Sequence, residues 1–199
     1  MGEAYRTVAG RGEAAFEIRG SEFIGRATHA GTVEAAEAFL AEIREAHPEA
    51  SHTVPAYRVR VGDGDRLRGW ASDDGEPTGS AGDPALNVLV QRDLENVVAA
   101  VTRYYGGTNL GVGGLARAYS RGVKEAVDDA GVTEMVPRER FELVADYDDA
   151  GTVRGILESA GVEFEADYAE RVAFEVRAPE TEAPAIRDRI RSATSGRVG

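Results

Sequence analysis

From Val97 to Ala130 the chain has little structural freedom. An almost unbroken apolar run, "NVVAAVTRYY", leads into a glycine-rich loop and then into a segment with helical apolar spacing. A short apolar run of this kind reads as a strand buried on both faces. The helix is expected from about Gly114 to Ala130, with Leu115, Tyr119, Val123, Ala126 and Ala130 on one face. The strand delivers Arg103, Tyr104 and Tyr105 to the loop. A strand end followed by a helix start is a common ligand position in α/β sheets.

The loop also stands apart from its own chain. Formal net charge is −12, yet no Asp or Glu occurs from Asn96 to Lys124. Gly106, Gly107, Gly111, Gly113 and Gly114 carry no Cβ, so their N–H groups can approach an anion closely at a helix N-terminus. Arg117, Arg121 and Lys124, at i, i+4 and i+7, share one helix face, and Asn109 adds an amide within the loop. No Gly-Lys-Ser/Thr follows, which argues against a P-loop, and the dinucleotide fingerprint is incomplete. Glycines that only turn the chain, or admit close packing of a helix on a sheet, fit the same spacing.

Upstream, "AAFEIRGSEFIGRATHA" alternates as two strands, or one strand bent at Gly20. Thr32 is placed to cap a helix through "VEAAEAFLAEIREA", closed by Pro48. "AYRVRVGDGDRLRGWA" reads as a hairpin about "GDGD". "SDDGEPTGSAGDP" is a loop from Ser72 to Pro84, with Asp83 and Pro84 in N-cap and N1 order for a helix "ALNVLVQ". "GVTEMVP" reads as a linker. Beyond it lie a strand ("RERFELVADY"), a helix ended by Gly161, a strand pair ("VEFEADYAERVAFEVRAP") and a last helix ("ETEAPAIRDRIRSAT"). This β-α-β-β-α order points to a small ferredoxin-like domain, whose final strand would have to come from "SGRVG". The expected domains are 1–133 and 134–199.

The loop from Ser72 carries Asp73, Asp74, Glu76, Thr78 and Ser80. Carboxylates and hydroxyls suit a hard cation such as Mg²⁺, or one carboxylate could act as a general base. The plainer reading is a polar turn whose side chains bond their own backbone, and no metal is assigned. His29, His47 and His52 are the available imidazoles. His47 precedes Pro48 at a helix end, a structural position. A Ser80, His52, Asp73 triad can be drawn, but no nucleophile-elbow pattern supports it, and the catalytic residues stay unassigned.

Cysteine is absent, which excludes disulfides, thiolate metal ligands and thiol catalysis. Lys124 is the single lysine among 23 basic residues. Arg-rich, carboxylate-covered composition suits solubility in concentrated salt, as in halophilic proteins; a high-GC genome favours the same residues. At about 1 M salt the Debye length is only ~3 Å, so net charge alone does not exclude a nucleic-acid partner. There is no membrane-spanning apolar run and no signal-peptide core, and Arg6 stands where a myristoylation signal needs Ser or Thr. A cytoplasmic protein without a cofactor is expected.

The acidic segment and "RYYGGTNLGVGGLARAY", together with the upstream "SEFIGRATHAGTVEAAEAFLAEIREAHPEASHTVPAYRVR", resemble the signatures of the IMPACT/YigZ family. The C-terminal part resembles the ferredoxin-like domain that bacterial and archaeal YigZ proteins append. The resemblance implies an α+β protein. Its N-terminal α/β sandwich would be like domain IV of elongation factor G, with a left-handed βαβ crossover. Eukaryotic IMPACT proteins regulate translation: they bind a ribosome-associated activator of an initiation-factor kinase, using an extra N-terminal domain that has no counterpart here. The resemblance brings no established catalytic residues. The leading reading of the residues is a non-enzymatic, translation-associated factor that binds RNA or a ribosome-associated protein through Arg103, Tyr104, Asn109, Arg117, Arg121 and Lys124 of the glycine-rich basic surface. The alternative is an enzyme acting on a phosphorylated small molecule or nucleotide, with Asp73, Asp74 or Glu76 holding a metal or serving as base.

Overall fold

The computed structural model of the chain describes residues 3–62 and 66–198. They form two compact units, one spanning Tyr5–Met135 and the other built from Val136 onward.

In chain order the first unit contains β1 (Tyr5–Val8), β2 (Gly12–Ile18), β3 (Ser21–His29), α1 (Val33–Ala46), β4 (His52–Val61) and β5 (Arg66–Ala71). Then follow α2 (Gly82–Gln91), β6 (Val97–Tyr104), α3 (Gly111–Ala130) and β7 (Val132–Met135). Five strands make one antiparallel sheet in the order β2-β3-β6-β4-β5. β3 and β4 flank β6, both antiparallel to it, so they run parallel to each other and α1 connects them across β6.

β6 is the centre of this sheet, which explains its unbroken apolar run. Successive side chains of a strand point to opposite faces. Val98 and Ala100 meet Leu40, Ile43 and Phe39 of α1, beside Tyr57 and Val59. Val97, Ala99 and Val101 meet the other layer, where α2 and α3 bring Leu89, Leu115, Tyr119 and Val123. α1 starts where the sequence predicts: Thr32 Oγ1 accepts the N–H of Ala35 at 3.1 Å, a cap worth about 1 kcal/mol.

β2 and β3 are two strands rather than one bent strand. Arg19 (φ 49°) and Gly20 (φ 82°) both take positive φ, as a two-residue turn matched to strand twist requires. β4 and β5 pair as predicted, with Val61 opposite Arg66; Asp63, Gly64 and Asp65 of the expected "GDGD" turn lie outside the described residues. The expected linker "GVTEMVP" is in part a strand. β7 pairs antiparallel with β1, Tyr5 opposite Met135, and Tyr5 Oη donates to Met135 Sδ at 3.0 Å. β7 is four residues long and mostly exposed, so it carries no apolar alternation to reveal it.

The second unit contains β8 (Arg138–Ala145), α4 (Tyr147–Ala160), β9 (Glu163–Tyr168), β10 (Val172–Pro179) and α5 (Ala183–Ala193). The sheet order is β8-β10-β9. Leu143, Phe174 and Val176 pack under Val153 and Leu157 of α4 and Ile186 and Ile190 of α5. Gly161 ends α4 in the left-handed conformation. The β-α-β-β-α order is ferredoxin-like, but among the described residues no strand forms from "SGRVG". The tail instead turns back on the core. Arg197 makes a bidentate pair with Asp149 (2.7 and 2.8 Å), and Val198 N–H donates to Thr194 Oγ1. Among the described residues no helix is long and apolar enough to cross a membrane.

Candidate functional site: two loops joined by a buried clasp

β6 alternation determines the fate of Arg103. An odd-numbered position, it shares a face with Ala99 and Val101 and points under α3. Its side chain is only 5% exposed, and Nη1 donates to Glu76 Oε1 at 2.6 Å. Nη2 donates to Ser21 Oγ at 3.3 Å, and the guanidinium lies 5.4 and 5.2 Å from the ring centres of Phe23 and Tyr105. The sequence places Arg103 on a binding surface; the structure holds it inside, as the partner of Glu76.

Glu76 itself comes from the acidic loop and is 4% exposed at its side chain. Its Oε1 also accepts the Tyr119 hydroxyl at 2.7 Å. Burial, and then this hydrogen bond, push the Tyr119 phenol well above its ordinary range. One carboxylate thus ties the acidic loop to the end of β6 and to the buried face of α3. Tyr119 reads from sequence as a core residue only. A clue was present, since a buried tyrosine needs a partner for its hydroxyl.

The other two carboxylates are also engaged. Asp73 accepts from Gly79 N–H through Oδ2 (2.8 Å) and from Ala81 and Gly82 N–H through Oδ1 (3.0 and 2.8 Å). This explains why α2 begins at Gly82, ahead of the predicted Asp83–Pro84 start. Its N-cap residue, Ala81, has no side-chain oxygen, and Asp73 supplies the cap from across the loop. Burial would raise the Asp73 carboxyl, but the three backbone donors together hold it below its usual range.

Asp73→Ala is therefore expected to lose about 1–2 kcal/mol at pH 7. A depressed folded-state pKa gives stability that is present above the ordinary Asp value of about 3.9 and is lost as pH falls through the lower folded value. Urea unfolding of parent and variant should differ at pH 7, and the gap should narrow as pH is lowered below the ordinary Asp value; a gap that does not change with pH would contradict this role.

Asp74, at φ 47°, accepts Thr53 N–H at 2.6 Å, and its backbone carbonyl accepts from His52 Nδ1 at 2.8 Å. A carbonyl can only accept, so His52 carries its proton on Nδ1. His52 Nε2 is 3.9 Å from Glu76 Oε1. The triad drawn from sequence is not assembled, because Asp73 faces backbone amides and His52 Nδ1 faces Asp74. The three carboxylates serve three separate sets of donors. Among the described residues no group of three His, Cys, Asp or Glu could share a metal ion. Ser80 is buried with its hydroxyl unpartnered, while Thr78 is exposed.

The glycine loop divides by role. A Cβ on Gly106 would sit 1.9 Å from the Gly20 carbonyl oxygen, and its N–H donates to Ser21 Oγ at 3.1 Å. Gly106 is thus glycine for close packing against the β2–β3 turn. Gly107 (φ 87°) and Gly111 (φ 71°) bend an exposed stretch. Tyr105 is half-exposed and donates to Asn109 Oδ1 at 3.2 Å. Tyr104 leaves this cluster: its hydroxyl lies on the α1 side of the sheet, 2.7 Å from His47 Nδ1.

α3 starts at Gly111, one turn earlier than predicted, because Gly111, Gly113 and Gly114 are poor helix formers that mask its first turn. Its N-cap, Leu110, offers no side-chain acceptor to the first amides. Arg117, Arg121 and Lys124 are exposed and line an open groove of about 1060 Å³ between α2 and α3, with Asn87, Arg92 and Ser120. Arg121 pairs with Glu125 (2.7 Å) and lies 4.0 Å over the Phe16 ring; Arg92 pairs with Asp128. Among the described residues Arg117 and Lys124 form no ion pair. The groove is basic toward the start of α3 and acidic toward its end.

Comparison with known proteins covers both units. The family model described as Impact N-terminal domain matches residues 19–127, and one described as a domain of unknown function (DUF1949) matches residues 143–197. IMPACT family member YvyE of Bacillus subtilis is 37% identical over 198 residues, 99% of this chain and 90% of that protein. IMPACT family member YigZ of Escherichia coli is 36% identical over 164 residues, 82% of this chain and 80% of that protein. A crystal structure described only as a hypothetical protein is 30% identical, with a TM-score of 0.72 over 100% of this chain and 97% of its own. The acidic and glycine-rich loops, with the clasp that joins them, both lie inside the first matched region. The chain belongs to the IMPACT family.

Proposed function

We propose that this protein is a non-enzymatic, translation-associated regulatory factor that binds RNA or a ribosome-associated protein. The contact surface is the exposed glycine loop together with the basic half of the α2–α3 groove. One observation carries the reading: Arg117 and Lys124 form no ion pair among the described residues, Arg117 about two turns into α3 from its uncapped start and Lys124 about two turns further along the same face. They lie in a stretch free of Asp and Glu up to Lys124, in a chain of net charge −12. Helix-start amides and free cations are the groups that hold phosphate oxygens. Tyr105, half-exposed at the mouth of the loop, offers a ring for base stacking. Membership of a family whose eukaryotic members regulate translation supports the same direction. The engagement of Asp73, Asp74 and Glu76 in structural bonds counts against the enzymatic alternative, which needs a carboxylate free for metal or proton transfer.

Fluorescence anisotropy of a labelled single-stranded RNA tests this reading. Each phosphate contact on a single strand contributes about 0.7 to the slope of log K against log salt. The double variant Arg117→Ala, Lys124→Ala should bind more weakly and lower the slope by about 1.4. Equal affinity and slope in parent and variant would remove the groove as an RNA-binding surface.

A further inference from the structure

The chain's single tryptophan lies on an open edge of the sheet. β5 is the last strand, and Arg66, Arg68 and Trp70 alternate onto the face that carries α1, opposite Val61, Val59 and Tyr57. The Trp70 ring stacks on Tyr57, with centres 5.2 Å apart and planes at 28°. Tyr57 is 2% exposed while Trp70 is 39% exposed. One face of the indole covers Tyr57, and more than a third of the residue stays exposed. Trp70 also borders a cavity of about 410 Å³ with Leu40, Arg44 and Arg68. Among the described residues Arg66 and Arg68 form no ion pair, and Arg44 reaches Asp74 only at 3.9 Å. Among the described residues Glu37 is the one carboxylate lining the cavity.

An edge strand is often blunted by charge, and Arg66 and Arg68 would serve that end by themselves. Blunting does not call for an exposed indole. Nor does sealing Tyr57 call for Arg66 and Arg68, without an ion pair among the described residues, on the same face of the strand, in a chain with more acidic than basic residues. We propose that this edge is a stacking platform for single-stranded RNA. A base stacks on the open face of Trp70, and the flanking phosphates meet Arg44, Arg66 and Arg68. An aromatic plane within a local cationic cluster is the sequence-tolerant way of holding an unpaired nucleotide. An acidic peptide would satisfy the arginines and leave the indole without a planar partner. The platform lies on the face of the sheet opposite the α2–α3 groove and stands or falls separately from it.

Trp70 emission reports on this site alone. Titration with twelve-residue oligo(U) and oligo(A) RNA should quench it saturably. Trp70→Ala, followed by anisotropy, should weaken binding about 10-fold. Because Trp70 also covers Tyr57, the double variant Arg66→Ala, Arg68→Ala is the second arm. It should fold with an unchanged melting temperature, weaken binding several-fold and lower the salt slope by about 1.4. Quenching that persists in Arg117→Ala, Lys124→Ala supports the platform even if the groove plays no part. RNA binding without quenching, or quenching unchanged by Arg66→Ala, Arg68→Ala, overturns the platform and leaves the groove reading untouched. Equal quenching by poly-glutamate overturns the assignment to RNA.

Discussion

Arg103→Ala is expected to cost about 3–5 kcal/mol of folding free energy, because it leaves the Glu76 carboxylate buried without its countercharge. Domain stabilities lie at about 5–15 kcal/mol, so this loss brings the first unit close to unfolding. The cost comes from the orphaned charge more than from any large net gain by the pair. The double variant Arg103→Met, Glu76→Gln should therefore recover much of the loss, since a buried ion pair and neutral groups of similar size differ little. Arg117→Ala, on the exposed face, should stay within about 0.5 kcal/mol of the parent. Urea unfolding of the four proteins checks all three statements. A loss below about 1 kcal/mol in Arg103→Ala would show that the clasp does not hold the two loops together.

Gly25→Ala should be comparably damaging for a different reason. Gly25 lies on β3 where α3 crosses it, and a Cβ there would sit 2.1 Å from the backbone oxygen of Gly122. Backbone cannot rotate aside as a side chain can, so the helix and sheet must separate. We expect about 3 kcal/mol or more, at the upper end of the overpacking range. The reciprocal change is gentler. A Cβ on Gly122 would meet the Val101 methyl groups at 2.9 and 3.0 Å, and alanine recovers up to about 1 kcal/mol of helix propensity. Gly25→Ala should thus melt well below Gly122→Ala in a thermal scan. The reverse order would contradict the described contact between β3 and α3.

These two sites show what the sequence could and could not reveal. Period and punctuation announced the regular elements. The unbroken apolar run of β6, Thr32 before α1 and Gly161 after α4 are local signals of local structure. β1 and β7 escaped because each is four residues long and they find each other across the whole first unit. The clasp escaped for another reason. Arg103 ends a strand and precedes a loop, a pattern that reads as surface; only its shared parity with Ala99 and Val101 pointed inward. Glu76 sits in a segment without periodicity, so nothing local distinguished a buried carboxylate from a solvated one. Asp73 caps a helix that starts nine residues later, outside the three-residue window in which caps are recognised. The pairing of the two loops as a family signature was legible, while its physical cause, one carboxylate shared between Arg103 and Tyr119, needed coordinates.

The clasp also gives the proposed surface its rigidity. Glu76 fixes the acidic loop, and Arg103 with Ser21 fixes the start of the glycine loop, which leaves Tyr105 to Asn109 as an exposed arch ahead of α3. The most direct test of that surface is co-sedimentation with purified ribosomal subunits across a KCl series. Parent protein should pellet with subunits, and Arg117→Ala, Lys124→Ala should remain in the supernatant at the same salt while keeping the parent's melting temperature. Equal pelleting by both proteins, or no pelleting of the parent at any KCl concentration, would contradict the proposed role.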